Sequence, residues 1–347
     1  VGTYRAGIVG LSWISADPAG PATHPVLGTA IPFSHASAYA ATPGIEVVAA
    51  CDIDQAASET FRERWNYRWP GMHLYADYRE MLQQEQIDFL SVVTPDHLHA
   101  EVILAAVEAG VRAIFAEKPL ATSLEDADRI IAAVRERGVA MTVNHTRRWM
   151  PQYIAAREAL RAGEIGPLVT IMAHLGGERA MLFRNHTHVI DMICYFADAE
   201  PEWVIGELET GFEDYGTAYR GDGGRDPSLE PGVNAYIGFQ NGVRAFLSGM
   251  KRGIPQVRIE LIGANGHIHV DDTGAYRTVP GDGGPSIHPI VPRATRAGMQ
   301  AALADLILAL ETGQPTQSPP EEARKTVAII MGILESQAQS NARVAVR

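Results

Sequence analysis

Short apolar, β-branched runs alternate with amphipathic stretches through roughly the first 145 residues, and this alternation constrains the fold more than any other feature of the chain. It is the pattern of parallel βα units. The runs Tyr4–Val9, Val47–Cys51, Phe89–Thr94, Ala113–Ala116 and Ala140–Val143 predict strands, and Ala56–Trp65, Tyr78–Gln84, Ala100–Ala109 and Leu124–Arg137 predict the helices between them. Parallel neighbours need crossovers, which cover both faces of the sheet. Ligands of such sheets collect beyond the C-terminal strand ends. Gly10, Asp52, Pro95 and Glu117 stand there and are the first candidates for a site.

After about His145 the texture changes. "IGFQNGVRAFL" and "RIELIGANGHIHV" each place an Asn-Gly turn, Asn241-Gly242 and Asn265-Gly266, between two alternating runs, a hairpin signal. A second domain with a mainly antiparallel sheet is expected, which divides the 347-residue chain into 1–145 and 146–347. Two polar, glycine-rich stretches, 213–232 and 271–286, read as long loops, either lids or oligomer contacts or plain surface. Helical patterns at Arg296–Thr312 and Pro320–Ala338 close the sequence.

A formal net charge of −12 disfavours a nucleic-acid partner, which needs a basic surface. No apolar run approaches the roughly 18 residues of a membrane span. The first residues show no basic-then-apolar leader, so a cytoplasmic location is expected. Cys51 and Cys194 lie far apart in apolar surroundings and read as buried small hydrophobes. Three His-x-His pairs, His97/His99, His186/His188 and His267/His269, have metal-ligand spacing on a strand. No consistent acidic or cysteine cluster accompanies them, and no metal is expected.

The segment "AGIVGLSWISADPAG", residues 6–20, begins as a dinucleotide-binding turn. Such a turn uses glycines for the bend, for close approach of the pyrophosphate and for helix packing. Gly10 suits the bend, but Ser12 and Trp13 stand where the approach is closest. Pro18, Pro21, Pro25 and Pro32 then delay helix-compatible sequence until His35. Asp52, at the end of the second strand, has the position from which a carboxylate accepts ribose hydroxyls and repels a 2′-phosphate. A structural turn aspartate is the plainer reading. NAD is favoured over NADP.

With "VVTPDHLHAE", "IFAEKPLATS", "RRWMP" and "HTHVIDMI" in this order, the chain resembles, over nearly its whole length, the glucose-fructose oxidoreductase, inositol dehydrogenase and rhizopine catabolism (Gfo/Idh/MocA) family of NAD(P)-dependent oxidoreductases. The resemblance implies an α/β protein: an N-terminal Rossmann domain and a C-terminal α/β domain with a large, mainly antiparallel sheet. It places Thr94, Pro95, His99 and Glu117 around the cofactor with Gly10, Ser12, Trp13 and Asp52. Lys118 matches the active-site lysine, and a partly desolvated lysine suits proton transfer; a surface lysine pairing Glu117 is the alternative. His188 matches a general base or hydroxyl ligand, with a core or capping role as the plainer reading. Asp191 either orients a sugar hydroxyl or makes a structural bond.

The chain departs from the family motif at two positions, with Arg184 in place of an aspartate and His186 in place of a glycine, and both are placed among the substrate-binding residues. A guanidinium lowers a neighbouring histidine's proton affinity where a carboxylate raises it. Arg184 therefore either binds an anionic substituent or points outward. Arg148 and Trp149, with Arg147, are placed near substrate at the domain junction, and Trp149 is equally a core residue. Tyr215, Tyr219 and Arg220 are weaker candidates for a closing loop. The implied activity is hydride transfer between nicotinamide and a secondary hydroxyl of a sugar, cyclitol or sugar derivative. Redox-neutral glycoside cleavage and a non-catalytic sugar or nucleotide sensor are the alternatives. The expected partners are a small carbohydrate substrate, with no nucleic acid and no membrane, and a second copy of the chain: a homodimer or homotetramer formed on an apolar sheet face.

Overall fold

The computed structural model describes residues 3–16, 22–294 and 296–347. Pro18 and Pro21 lie outside the described residues. The chain forms two compact units. The first takes residues up to Ala121, then Glu125–Thr146 and Arg296–Glu321; the second takes Thr122–Leu124, Arg147 to 294 and Glu322–Arg347.

In the first unit β1 (Tyr4–Val9), β2 (Ile45–Cys51), β3 (His73–Tyr75), β4 (Phe89–Val92), β5 (Ala113–Ala116) and β6 (Ala140–Val143) form one parallel sheet in the order β3-β2-β1-β4-β5-β6. Every residue of β4 and β5 is buried, as a sheet covered on both faces requires. The order reverses between β1 and β4, which opens a crevice at the C-terminal ends of those two strands. The covering helices are α1 (His35–Ala40), α2 (Gln55–Trp65), α3 (Tyr78–Gln84), α4 (His99–Glu108) and α5 (Leu124–Arg137). Asp54 and Asp77 cap α2 and α3 through bonds from Ala56 N–H and Arg79 N–H. In α5, Ala127, Ile130 and Val134 make the buried stripe. Glu125 and Asp126 in its first turn and Arg135 and Arg137 in its last oppose the helix dipole.

The second unit is built on nine strands: β7 (Leu168–Gly176), β8 (Pro201–Leu208), β9 (Val233–Phe239), β10 (Arg244–Met250), β11 (Gln256–Gly263), β12 (Gly266–Asp271), β13 (Gly274–Gly281), β14 (Gly284–Pro289) and β15 (Val344–Ala345). Their order is β14-β13-β12-β11-β7-β10-β9-β8-β15. β10 runs parallel to β7 and the other pairs are antiparallel. Strand alternation sorts the side chains: Ile171, Ala173, Leu247, Ile259 and Leu261 enter the core with α6 (Pro151–Arg161) and α7 (His186–Ala197). Met172, Phe246 and Tyr276 remain 51, 43 and 38% exposed on the opposite face. The chain returns to the first unit as α8 (Gly298–Thr312), and α9 (Pro320–Ala338) follows, in the second unit from Glu322 onward.

The expected loop at 271–286 is corrected here: it is the turn into β13, then β13 itself and the start of β14. Pro280 pairs with Pro285 in that ladder; Pro285 lies on the edge strand and Pro280 lies beyond the last pair with β12, His267 with Thr278, so neither needs an N–H toward a second neighbour. The stretch 213–232 contains a short 3-10 turn, Pro227–Leu229, and no strand.

Candidate active site

In the first unit the site grows from the end of β1. Gly10 has φ +91°, and a Cβ there would lie 2.4 Å from the Val93 carbonyl oxygen, so only glycine lets the ends of β1 and β4 approach this closely. The Leu11 N–H donates to Asp52 Oδ2 at 2.7 Å, while Oδ1 accepts from Asp54 N–H at 2.9 Å. Asp52 therefore ties down the turn after Gly10 from the neighbouring strand. Ser12 is exposed, and Trp13 adopts φ +53° with its side chain 69% exposed, so the indole does not fill the turn. A 3-10 turn, Trp13–Ser15, follows where an α-helix would usually begin.

Local bonds hold the described residues of the insert. Ala22–Thr23 pairs with Ala30–Ile31, and His24 Nδ1 accepts from the N–H groups of Val26 and Leu27. Ser34 and Ser37 then form a reciprocal capping box that starts α1.

Beyond β4, Thr94 and Pro95 are half-buried, and the Thr94 hydroxyl is enclosed without a hydrogen-bond partner among the described residues. His99 is fully buried. Its Nδ1 lies 2.6 Å from the Pro119 carbonyl oxygen and its Nε2 2.9 Å from that of Thr94. It acts as a clamp between the ends of β4 and β5, with both nitrogens engaged by backbone. Glu117 and Lys118 follow β5 directly. Glu117 Oε1 accepts from Asn144 Nδ2 at 2.6 Å and lies 3.2 Å from His35 Nε2. Burial pushes this carboxyl up, but His35, the Lys118 ammonium and Asn144 outweigh it and hold the pKa down at about 2. Lys118 is only 4% exposed.

In the second unit Arg147 and Arg148 take different partners. Arg147 makes a two-pronged contact with Asp272, at 2.9 and 2.7 Å, and the Tyr153 hydroxyl donates to the same carboxylate. This pins the turn between β12 and β13. Arg148 reaches Asp191 through Nε, 3.0 Å from both carboxylate oxygens, and through Nη2 at 2.9 Å. Both side chains are at most 2% exposed. Burial opposes the Arg148 charge, but Asp191 outweighs it and raises the pKa. Arg148 also contacts Glu322 at 3.4 Å. Trp149 is buried. Asp191, Arg148 and Trp149 are thus interior groups, with Asp191 in a structural bond and Trp149 in the core, each one of the two readings left open for it.

His188 lies in the first turn of α7 and is half-buried. His186 is fully buried: a Cβ on Gly249 would lie 2.0 Å from its Nε2. Burial, only partly opposed by neighbouring backbone groups of Met181 and Val233, pushes its pKa down to about 4. The imidazole that replaces the motif's glycine is thus a neutral core group. Arg184 packs its side chain on Gly224, and its Nη1 donates to the Gly223 carbonyl at 3.3 Å. Arg179 Nη2 donates to Gly224 O at 2.9 Å. Arg184 is therefore turned onto the glycine-rich loop. Tyr219 supports that loop, its hydroxyl accepting from Gly223 N–H at 2.8 Å. Tyr215 is buried, and its hydroxyl accepts from the Arg220 N–H at 3.2 Å.

Among the described residues no group of three or more His, Cys, Asp or Glu side chains is arranged for a metal, and no helix is long and apolar enough to cross a membrane. Cys51 and Cys194 are buried free thiols. His35, Asn144 and Asp272 were not among the residues that the sequence singled out for the site. Their signal lay in partners 27 to 125 residues away, which local spacing cannot reveal.

A doubly wound sheet with a glycine-lined crevice at its reversal point defines a dinucleotide-binding class of protein. Residues 4–145 match the oxidoreductase family with an NAD-binding Rossmann fold. Scyllo-inositol 2-dehydrogenase (NAD(+)) of Bacillus subtilis strain 168 is 30% identical over 254 residues, 66% of this chain and 67% of that protein. D-Apiose dehydrogenase of Paraburkholderia graminis is 38% identical over 138 residues, 38% of this chain and 34% of that protein. Inositol 2-dehydrogenase of Salmonella typhimurium is 26% identical over 208 residues, and the match covers 59% of this chain and 55% of that enzyme. The match thus spans 34 and 55% of the length of two of these relatives and 67% of the third. Levoglucosan dehydrogenase in complex with NADH and L-sorbose shares the fold, with a TM-score of 0.81, 20% identity and full coverage of both chains. The chain belongs to the Gfo/Idh/MocA family of NAD-binding oxidoreductases.

Proposed function

We propose that this chain is an NAD-dependent dehydrogenase acting on a secondary hydroxyl of a sugar, cyclitol or sugar derivative. The observation that carries the reading is Lys118, buried at the end of β5 beside a carboxylate that stays charged. The residues also fit a dinucleotide. Gly10 presents bare backbone at the crevice, the half-buried Thr94 keeps an enclosed and unpartnered hydroxyl there, and Asp52 offers a carboxylate at the ribose position. Gly10, the backbone of Ser12 and Trp13, Asp52, Thr94, Pro95 and Glu117 would hold the cofactor, with His99 clamping the two turns between them. A nicotinamide, when bound, exchanges a hydride with a carbinol carbon.

The chain's own task is then to position the hydroxyl and handle its proton. Lys118 holds that proton as an ammonium or releases it, and His188 accepts it or binds the hydroxyl. Asp52 repels a 2′-phosphate, which favours NAD over NADP. Position 184 carries a guanidinium where the family motif has a carboxylate, and this favours a second reading, in which transient oxidation leads to redox-neutral glycoside cleavage. Met172, Phe246 and Tyr276 on the open sheet face support self-association there, as a homodimer or homotetramer.

The test is turnover of NAD+ with scyllo-inositol, D-apiose and levoglucosan, with NADH formation and carbohydrate products followed separately. Dehydrogenation yields NADH stoichiometric with product, whereas cleavage yields product alone. Lys118→Ala is expected to lower kcat by about 10²–10⁴-fold while NADH binding persists. Absence of NAD(H) binding in calorimetry would sink both readings.

A further inference from the structure

His35, the first residue of the helix that follows the insert, is fully enclosed, with its ring 4.4 Å from that of Phe115. A buried imidazole needs partners at its nitrogens. Nδ1 lies 2.8 Å from Ser91 Oγ and Nε2 3.2 Å from Glu117 Oε1. An ionised carboxylate only accepts, so Nε2 carries a proton. A neutral ring then accepts at Nδ1 from the Ser91 hydroxyl, whose oxygen accepts from the Tyr39 phenol at 2.9 Å. Burial pushes the Tyr39 phenol up and keeps it a donor. The donors therefore run one way, from Tyr39 through Ser91 and His35 to Glu117.

Asn144 delivers a second N–H to the same Oε1. The charged or titratable groups that act on Glu117 are His35 from α1, with Tyr39 behind it through Ser91, and Lys118 beside it. A buried carboxylate stays charged only while donors and cations replace the water it has lost. His35 is one of two side chains that hydrogen-bond to it among the described residues.

We propose that His35 is a positioning residue: it fixes the Glu117 carboxylate beside Lys118 and so couples α1, and the insert that leads into it, to the group that handles the substrate proton. The catalytic part of this statement rests on the dehydrogenase reading. The coupling of His35 to Lys118 does not.

The sequence has three lysines, Lys118, Lys251 and Lys325, so protein labelled with 13C at lysine Cε gives three signals, and Lys118→Arg identifies one of them. Between about pH 4 and 11 the wild-type Lys118 signal is expected to show its own titration alone. His35→Asn keeps a partner for Ser91 but does not reach Glu117. Glu117 then takes a proton at higher pH, and the Lys118 signal gains an acid-side inflection. His35→Gln, whose amide reaches as far as Nε2, is expected to remove the inflection.

With NAD+ and whichever of scyllo-inositol, D-apiose and levoglucosan the wild type oxidises, His35→Asn is expected to lower kcat about tenfold. The acid limb of its pH profile moves up, KM is unchanged, and His35→Gln restores the rate. A Lys118 curve in His35→Asn identical to wild type overturns the proposal, as does His35→Gln impaired as much as His35→Asn. Should His35→Asn fail to fold, Ser91→Ala, which only unpins the ring, must give a weaker inflection; its absence overturns the proposal too. If none of these polyols is oxidised, the dehydrogenase reading fails for them, while the lysine signals still decide on His35.

Discussion

Replacing Asp191 by Asn would remove one charge from a buried pair without leaving a cavity. Arg148 would keep its guanidinium at a position 2% exposed, having lost three contacts of 2.9 to 3.0 Å with a full negative charge. Breaking such a pair costs about 3–5 kcal/mol, because the remaining charge is uncompensated. Two features place this case near the lower end: Glu322, at 3.4 Å, still offers a carboxylate, and the Tyr195 ring lies 5.3 Å from the guanidinium carbon. A loss of about 3 kcal/mol corresponds to a fall of roughly 6–12 °C in Tm for a unit of this size. Urea unfolding followed by circular dichroism, together with calorimetry on the full chain, would measure it. The double variant Arg148→Met, Asp191→Leu is expected to recover most of the loss, since neither charge is then stranded. A single-variant cost below about 1 kcal/mol, or a double variant no better than the single, would refute the reasoning.

Three further outcomes are expected. Asp52→Asn weakens the bond to Leu11 N–H and removes the charge that repels a 2′-phosphate; NADH affinity falls by about 1.5–3 kcal/mol, and the ratio of NADPH to NADH affinity rises, as fluorescence titration would read. Stability falls as pH drops below about 6.5, because unfolded His186 binds a proton that the folded ring, with its pKa down at about 4, refuses. The loss by pH 5 is on the order of 2 kcal/mol, and denaturation of His186→Gln at both pH values should show a smaller one. Phe246→Glu places a charge in the open sheet face and is expected to shift sedimentation toward the monomer; an unchanged assembly would exclude that face as the contact.

Five of the six strands of the first unit were legible because each obeys a local rule; β3, only three residues long, was not expected. β5 is wholly apolar, β1 and β6 are mainly so, all three are bounded by turn residues, and their limits coincide with the predicted runs. α5 likewise announces itself by an apolar stripe and its end charges. β14, the edge strand, and β13 beside it were misread because the margin of a sheet carries no such obligation. With both faces of β14 largely exposed, its glycines and prolines have the composition of a loop. Within the candidate site, Gly10, Asp52 and Glu117-Lys118 were legible because each stands in one short segment at a strand end. The surroundings of a residue were not legible where they depend on pairing. That Asp191 would be consumed by Arg148, 43 residues earlier, or that His35 would reach Glu117, 82 residues later, has no local signature.

The return of α8 to the first unit sets an order of manufacture. Val143 N–H donates to Ser318 O, the Thr316 hydroxyl donates to Met141 O, and His145 Nδ1 lies 3.2 Å from Ser318 Oγ. Until residue 318 has been made, β6 lacks these partners. A ribosome adding about 5–20 residues per second needs roughly 10–35 s to travel from β6 to that point. The unit that is started first is therefore closed late, and a chaperone that shields an unfinished sheet edge would meet it during that interval.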